Sequence, residues 1–187
     1  MRSKLRWCML LSVFLVASLC APAWSAEKQV ISIGAFVPLT GDFASYGTRG
    51  KVALEKAEAD IAKFTSEAKL PITFKFLYED TETKANVTLE KLKAMAAQGV
   101  KVVVGLLDSA DTRLIMGYAN ANKIAVVSSF STVAELGVPD DYIFRPIPHD
   151  DMEGVALAEL VEHLGFTHVA LLVRKDPCDI SIANRFV

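Results

Sequence analysis

Between Val30 and Val173 the chain alternates short apolar runs with longer stretches of helical periodicity. That alternation narrows the possible folds more than any other feature. Strands followed in turn by amphipathic helices can bury both partners only as a parallel sheet wound with right-handed crossovers. The first run, Val30–Val37 (VISIGAFV), ends at Pro38. A helix is predicted over 47–64, with Leu54, Ala57, Ile61 and Phe64 on its inner stripe. Ile72–Tyr78 (ITFKFLY) is rich in the aromatic and β-branched residues that strands favour. Residues 84–98 place Leu89, Leu92 and Ala96 on one stripe, with Gly99 at the C-cap position. Val100–Leu107 (VKVVVGLL) is almost wholly apolar, as a strand buried on both faces must be. A third helix is expected over 109–122, another buried strand over Ile124–Ser129, and a fourth helix over Asp150–Leu164 with Met152, Val155, Val161 and Leu164 inward. His168–Val173 (HVALLV) reads as a further strand. The fold class is α/β.

The amino terminus is of another kind. Arg2, Lys4 and Arg6 precede an uncharged run from Trp7 to Leu19, followed by the small-residue stretch Ala21–Ala26. A basic start, an apolar core and an A-x-A-like site make residues 1–26 a secretory signal peptide. The run is well short of the ~20 residues that a permanent membrane anchor requires. Cleavage is expected between Ala23 and Ala26; lipidation at Cys20 is disfavoured by the bulky Leu19 before it. The destination is the periplasm. Without this leader the chain keeps 17 of its 20 basic residues against 22 acidic ones, a net charge of −5. Such a balance argues against nucleic acid as a partner. Cys178 is the one cysteine outside the leader, so no intrachain disulfide can form in the remainder.

The weakest joint in the pattern is 131–148, which holds Pro139, Pro146, Pro148 and the pair Asp140-Asp141 around a strand-like Tyr142–Arg145. Three parts follow: the signal peptide (1–26), a first α/β lobe (27–145), and the start of a second, truncated lobe (146–187). One helix and one strand cannot bury a core of their own, so the chain is expected to be a fragment.

Catalytic signatures are missing: the sequence has no G-x-S-x-G, no G-x-x-x-x-G-K-[ST] and no G-x-G-x-x-G. No metal and no cofactor are expected. His149, Asp150, Asp151 and Glu153 match no standard ligand spacing, and Asp150 and Asp151 suit the first turn of a helix. Asn86-Val87-Thr88 is a glycosylation triplet, but it falls inside a helix.

Recognition chemistry remains, at the carboxyl ends of the strands, where open α/β sheets bind ligands. Pro38–Gly47 follows the first strand as a turn-rich loop ending in an aromatic. Asp108–Thr112 follows the third strand and opens a helix whose free N–H groups can hold a carboxylate. Ser128–Thr132 follows the fourth with hydroxyls and backbone carbonyls. Each segment alone also suits plain capping, with Asp108 as N-cap and Asp111 three residues later. Their shared placement after parallel strands favours a ligand site.

Three stretches carry a family resemblance: IGAFVPLTGDFASYG (33–47), VKVVVGLLDSADT (100–112), and FRPIPHDDMEGVA (144–156) with HVALLV (168–173). Over 30–173 the chain resembles the solute-binding proteins of branched-chain (leucine/isoleucine/valine) amino acid ABC transporters, the type I periplasmic binding proteins. The resemblance implies two α/β lobes closing on a small solute and delivering it to a membrane permease. Lobe one would be nearly complete and lobe two only begun.

Carried over by position, Tyr46 matches an aromatic that leans on the ligand. Ser109 matches a serine whose hydroxyl takes the ligand carboxylate together with nearby helix amides such as that of Ala110. Phe130 matches a residue whose carbonyl receives the ligand ammonium, and Thr132 a threonine that assists. Asp179-Ile180 stands where the family often has Tyr-Gly, removing an aromatic wall and adding Asp179 as a carboxylate partner. With Asp108 and Asp111, that change points from an ordinary branched-chain amino acid towards an amide, a urea-like molecule or a cationic amino acid. A sensor or receptor domain would use the same fold and pocket. An exported α/β enzyme would need a nucleophile and base within reach, and no histidine directly follows any of the three pocket loops.

Overall fold

The computed structural model describes residues 28–187; the signal peptide expected over 1–26, with Cys20, lies outside the described residues. Five strands, β1 (Gln29–Val37), β2 (Ile72–Asp80), β3 (Val102–Gly105), β4 (Ala125–Ser128) and β5 (Ile143–Phe144), form one sheet in the order β2-β1-β3-β4-β5. Every pairing is parallel. Helices α1 (Ala44–Glu67), α2 (Ala85–Ala97) and α3 (Ser109–Asn122) make the crossovers, and α4 (Asp150–His163) and α5 (Pro177–Phe186) follow the last strand. The chain has the type I periplasmic-binding-protein fold over part of its extent: a parallel five-stranded sheet flanked by helices.

β1 sits between β2 and β3, so its carboxyl half is covered from both sides and both faces. Ala35, Phe36 and Val37 are fully buried. The core gathers Phe36, Val103 and Val126 from the strands with Leu92 and Met95 of α2 and Ile115 and Ala119 of α3. β3 is an inner strand, but the burial on both faces expected for 100–107 is only partial: Val103 and Gly105 are buried, Val103 in the core with α2 and α3, while Val102 and Val104 on the other face are half-buried. α2 ends as the sequence predicts, at Gly99 with φ +84°, a conformation in which a side chain would be strained.

α1 turns Leu54 and Ile61 of its predicted stripe towards the sheet but leaves Ala57 and Phe64 exposed. Phe64 is 64% exposed, while Gly47 and Thr65 are buried and Glu58 turns inward. The helix lies over the edge strand β2. There Glu58 accepts hydrogen bonds from the Phe76 amide (3.3 Å) and the Tyr78 hydroxyl (3.3 Å). Burial and the Glu58 charge push the Tyr78 hydroxyl up to about 12. A polar inner face is tolerated because the carboxylate finds donors on the strand.

Two expectations beyond residue 150 fail. Residues 168–173 form no strand: a strand needs a ladder partner, and the described sheet ends at β5. Val169, Leu171 and Val173 are about half exposed and Leu172 wholly so. Of the inward stripe given to α4 only Val161 is half-buried; Met152 (64%), Val155 (44%) and Leu164 (58%) are exposed. α4 packs instead on α5 at Gly154, where an added Cβ would stand 2.6 Å from the Ile182 carbonyl oxygen. The apolar periodicity of α4 has no described sheet to face.

Candidate functional site

From β1 the chain crosses to β2 on one side and then passes back over β1 to β3 on the other. The crevice outside the carboxyl ends of β1 and β3 is therefore a topological switch point, the usual ligand position in such sheets. A cavity of about 780 Å³ opens there, and Tyr46, Ser109, Ala110, Phe130 and Thr132 all border it.

Its first wall is the loop after β1, held by Asp80 at the end of the neighbouring strand. Asp80 accepts from the Leu39 amide (2.8 Å), the Thr40 amide (3.2 Å), the Thr40 hydroxyl (2.8 Å) and the Glu82 amide (2.8 Å). Burial pushes this carboxyl up, but the hydrogen bonds from Glu82, Thr40 and Leu39 outweigh it and hold the group below its usual range. Gly41, at φ +82°, lets the loop press against the β2–α2 connection, where an added Cβ would stand 2.5 Å from the Glu82 carbonyl oxygen. The loop delivers Phe43 and Tyr46. Tyr46 lies in the first turn of α1 rather than in a loop, since that helix begins at Ala44. The rings of Phe43, Tyr46 and Phe130 form a cluster with centroids 5.5–6.2 Å apart, and the Arg49 guanidinium lies 5.0 Å from the Tyr46 ring centre.

α3 makes the second wall. Asp108 caps it as the sequence predicts, accepting from the Asp111 amide at 2.7 Å. The amides of Ser109 and Ala110 lie in the first turn, where N–H groups have no partner within the helix. The Ser109 side chain is nearly buried and accepts from the Ser131 hydroxyl at 3.4 Å.

In the third wall the fully buried Ser128 hydroxyl donates to the Leu107 carbonyl (2.6 Å) and accepts from the Ser131 amide (3.1 Å). This clamp fixes the turn that turns Phe130 towards Phe43 and Tyr46. Thr132, two residues after Phe130, reaches across the cleft. Its hydroxyl lies 3.4 Å from the Cys178 sulfur, whose thiol lies 3.6 Å from an Asp150 carboxylate oxygen. The Asp150 amide donates to the Thr132 carbonyl at 3.0 Å. Burial pushes the Cys178 thiol up.

Asp179 stands apart from the other five. It is not in the wall of this cavity; its carboxylate is paired with the Arg174 guanidinium at 2.9 Å, which holds it below its ordinary range. It borders a smaller apolar depression between α4 and α5 instead. Sequence reading missed Asp150, Glu153 and Cys178, all of which border the main cavity. The sequence signal at Asp150 is that of an acid opening a helix, which with Asp151 points to dipole compensation, and Glu153 enters only in a cluster that matches no metal spacing. Nothing local marks Cys178, which reaches the cleft only because α5 packs on α4.

The three walls bound a cleft at the switch point of an α/β protein. The model for the family described as periplasmic binding protein matches residues 30–183. The chain belongs to that family. It is 35% identical over 157 residues to an uncharacterized protein of Methanocaldococcus jannaschii, an alignment covering 81% of this chain and 38% of that protein. It is 26% identical over 164 residues to Leu/Ile/Val-binding protein homolog 3 of Brucella melitensis, covering 87% and 44%. Among solved structures it resembles LivJ, the branched-chain amino acid transporter substrate binding protein of Streptococcus pneumoniae in complex with isoleucine. The TM-score is 0.71 at 22% identity, covering 84% of this chain and 46% of LivJ. The chain thus spans less than half the length of each of these three.

Proposed function

We propose that the chain binds a small polar solute, an amino acid or a related amide, outside the cytoplasm and serves an ABC permease rather than catalysing a reaction. One observation carries the reading: five positions matched to ligand-contacting residues border a single cavity at the switch point. The donors and acceptors suit a zwitterion. The Ser109 hydroxyl and the first-turn amides of α3 can take a carboxylate, and the Phe130 carbonyl with the Thr132 hydroxyl can take an ammonium. The family supplies the transport setting.

Mass-spectrometric identification of small molecules carried through purification of the full chain tests this. A polar solute bound one to one is the expected result. A preparation that carries none, and that no amino acid or amide stabilises, would refute it.

The periplasmic setting rests on the leader-like order of residues 1–26. No helix among the described residues is long and apolar enough to cross a membrane. Intact mass from an exporting host should place the new amino terminus between Trp24 and Glu27. A product beginning at Met1, or a diacylglyceryl-modified Cys20, would contradict simple cleavage.

A further inference from the structure

The ionisable side chains of the cavity wall are unbalanced. Asp42, Asp108, Asp150, Glu153 and Asp176 supply carboxyl groups; Arg174 and His149 are the basic members. Arg174 is already paired, with Asp176 at 3.1 Å and Asp179 at 2.9 Å. Asp108 and Asp176 are occupied as helix caps. Asp42, Asp150 and Glu153 make no salt bridge among the described residues, and Asp150 is unusual among them. It is 3% exposed, one oxygen faces the Cys178 thiol, and the other, Oδ2, has no hydrogen-bond partner among the described residues. A buried carboxylate oxygen without a donor is costly, and a cation brought into the cavity would relieve that cost.

The opposite side of the cavity fits the same ligand. Phe43 and Phe130 present aromatic rings, whose faces attract a cation, as the Tyr46 ring beside them already does for the Arg49 guanidinium at 5.0 Å. A neutral aliphatic side chain would gain from the rings but would leave the buried Asp150 carboxylate uncompensated, with the exposed Glu153 beside it on the same first turn of α4.

We infer that the solute carries a net positive charge, as a cationic amino acid does, with its extra ammonium or guanidinium group against Asp150 and Glu153 at the start of α4. This rests on the reading of the cavity as a solute site and narrows the class of solute.

Isothermal titration of the full chain with L-lysine, L-arginine, L-leucine and L-isoleucine tests it at low and at moderate salt. Lysine or arginine should bind at least tenfold more tightly than either aliphatic amino acid, and the advantage should shrink with added salt. Asp150→Asn and Glu153→Gln should each weaken binding of the cation at least fivefold. Glu153 is exposed, so its replacement decides the matter even if the Asp150 variant fails to fold. Leucine or isoleucine binding as tightly as lysine and arginine, or unchanged cation affinity in Glu153→Gln, would overturn the inference while leaving solute binding in place. Binding of none of the four, together with no solute carried through purification, would overturn both.

Discussion

The Thr88 hydroxyl donates a 2.7 Å hydrogen bond to the Asp111 carboxylate, tying α2 to the first turn of α3, whose Ser109 and Ala110 border the cavity. Both side chains are buried. The serine and amides of the cavity wall are thus set by a contact on the far side of the same turn.

That contact makes stability depend on pH. Burial, aided by the Asp108 charge, pushes the Asp111 carboxyl up to about 6 from its ordinary 3.8. The folded state therefore holds this proton more tightly than the unfolded state. Its contribution favours folding below about pH 4 and is lost as pH rises towards 6. The loss amounts to about 3 kcal/mol at most. Urea midpoints of wild type and Asp111→Asn, compared at pH 4.5 and 7, check this. The variant should gain relative to wild type at pH 7; a difference that does not change with pH would contradict it.

Gly47 controls how the first loop meets α1. A Cβ there would stand 1.9 Å from the Pro38 carbonyl oxygen, a backbone atom that cannot step aside without moving the loop. Gly47→Ala should cost roughly 2 kcal/mol or more and displace Phe43 and Tyr46 from the cavity. Chemical denaturation measures the cost. A variant as stable as wild type would show that the loop shifts freely.

Tyr46→Ala removes an aromatic from the cavity and from the first turn of α1, where it also lies against Phe43, Phe130 and the Arg49 guanidinium. It should weaken solute binding and lower stability by about 1 kcal/mol, since Tyr46 is 47% exposed and buries only part of its surface. Thermal melts with titration of the identified solute separate the two effects. Unchanged binding and stability would remove Tyr46 from the site.

The strands β1 to β4 and the helices between them were legible because each carries a complete local signal: an apolar run, a helical stripe, and Asp108 or Gly99 at a helix end. What the pattern could not give was the inward place of Glu58 on α1 and the fate of 168–173. Glu58 faces inward because the edge strand offers it an amide and a hydroxyl, a fact of pairing rather than of periodicity. HVALLV has a strand's composition but no described neighbour to pair with. Within the cavity, residues that follow strand ends were placed together by the order of elements alone. Cys178 and Asp150, 28 positions apart, meet only through the packing of α5 on α4.

The central claim is that the cavity bounded by β1, β3 and β4 is the solute site, with the Ser109 hydroxyl a direct donor to the solute. Isothermal titration of the identified solute into wild type and Ser109→Ala tests it most directly. Loss of one hydrogen bond to a charged group should cost roughly 1.5–3 kcal/mol, a weakening of about ten- to a hundredfold. Affinity within twofold of wild type, in a variant that melts normally, would place the site elsewhere and return Ser109 to the helix start as a structural residue.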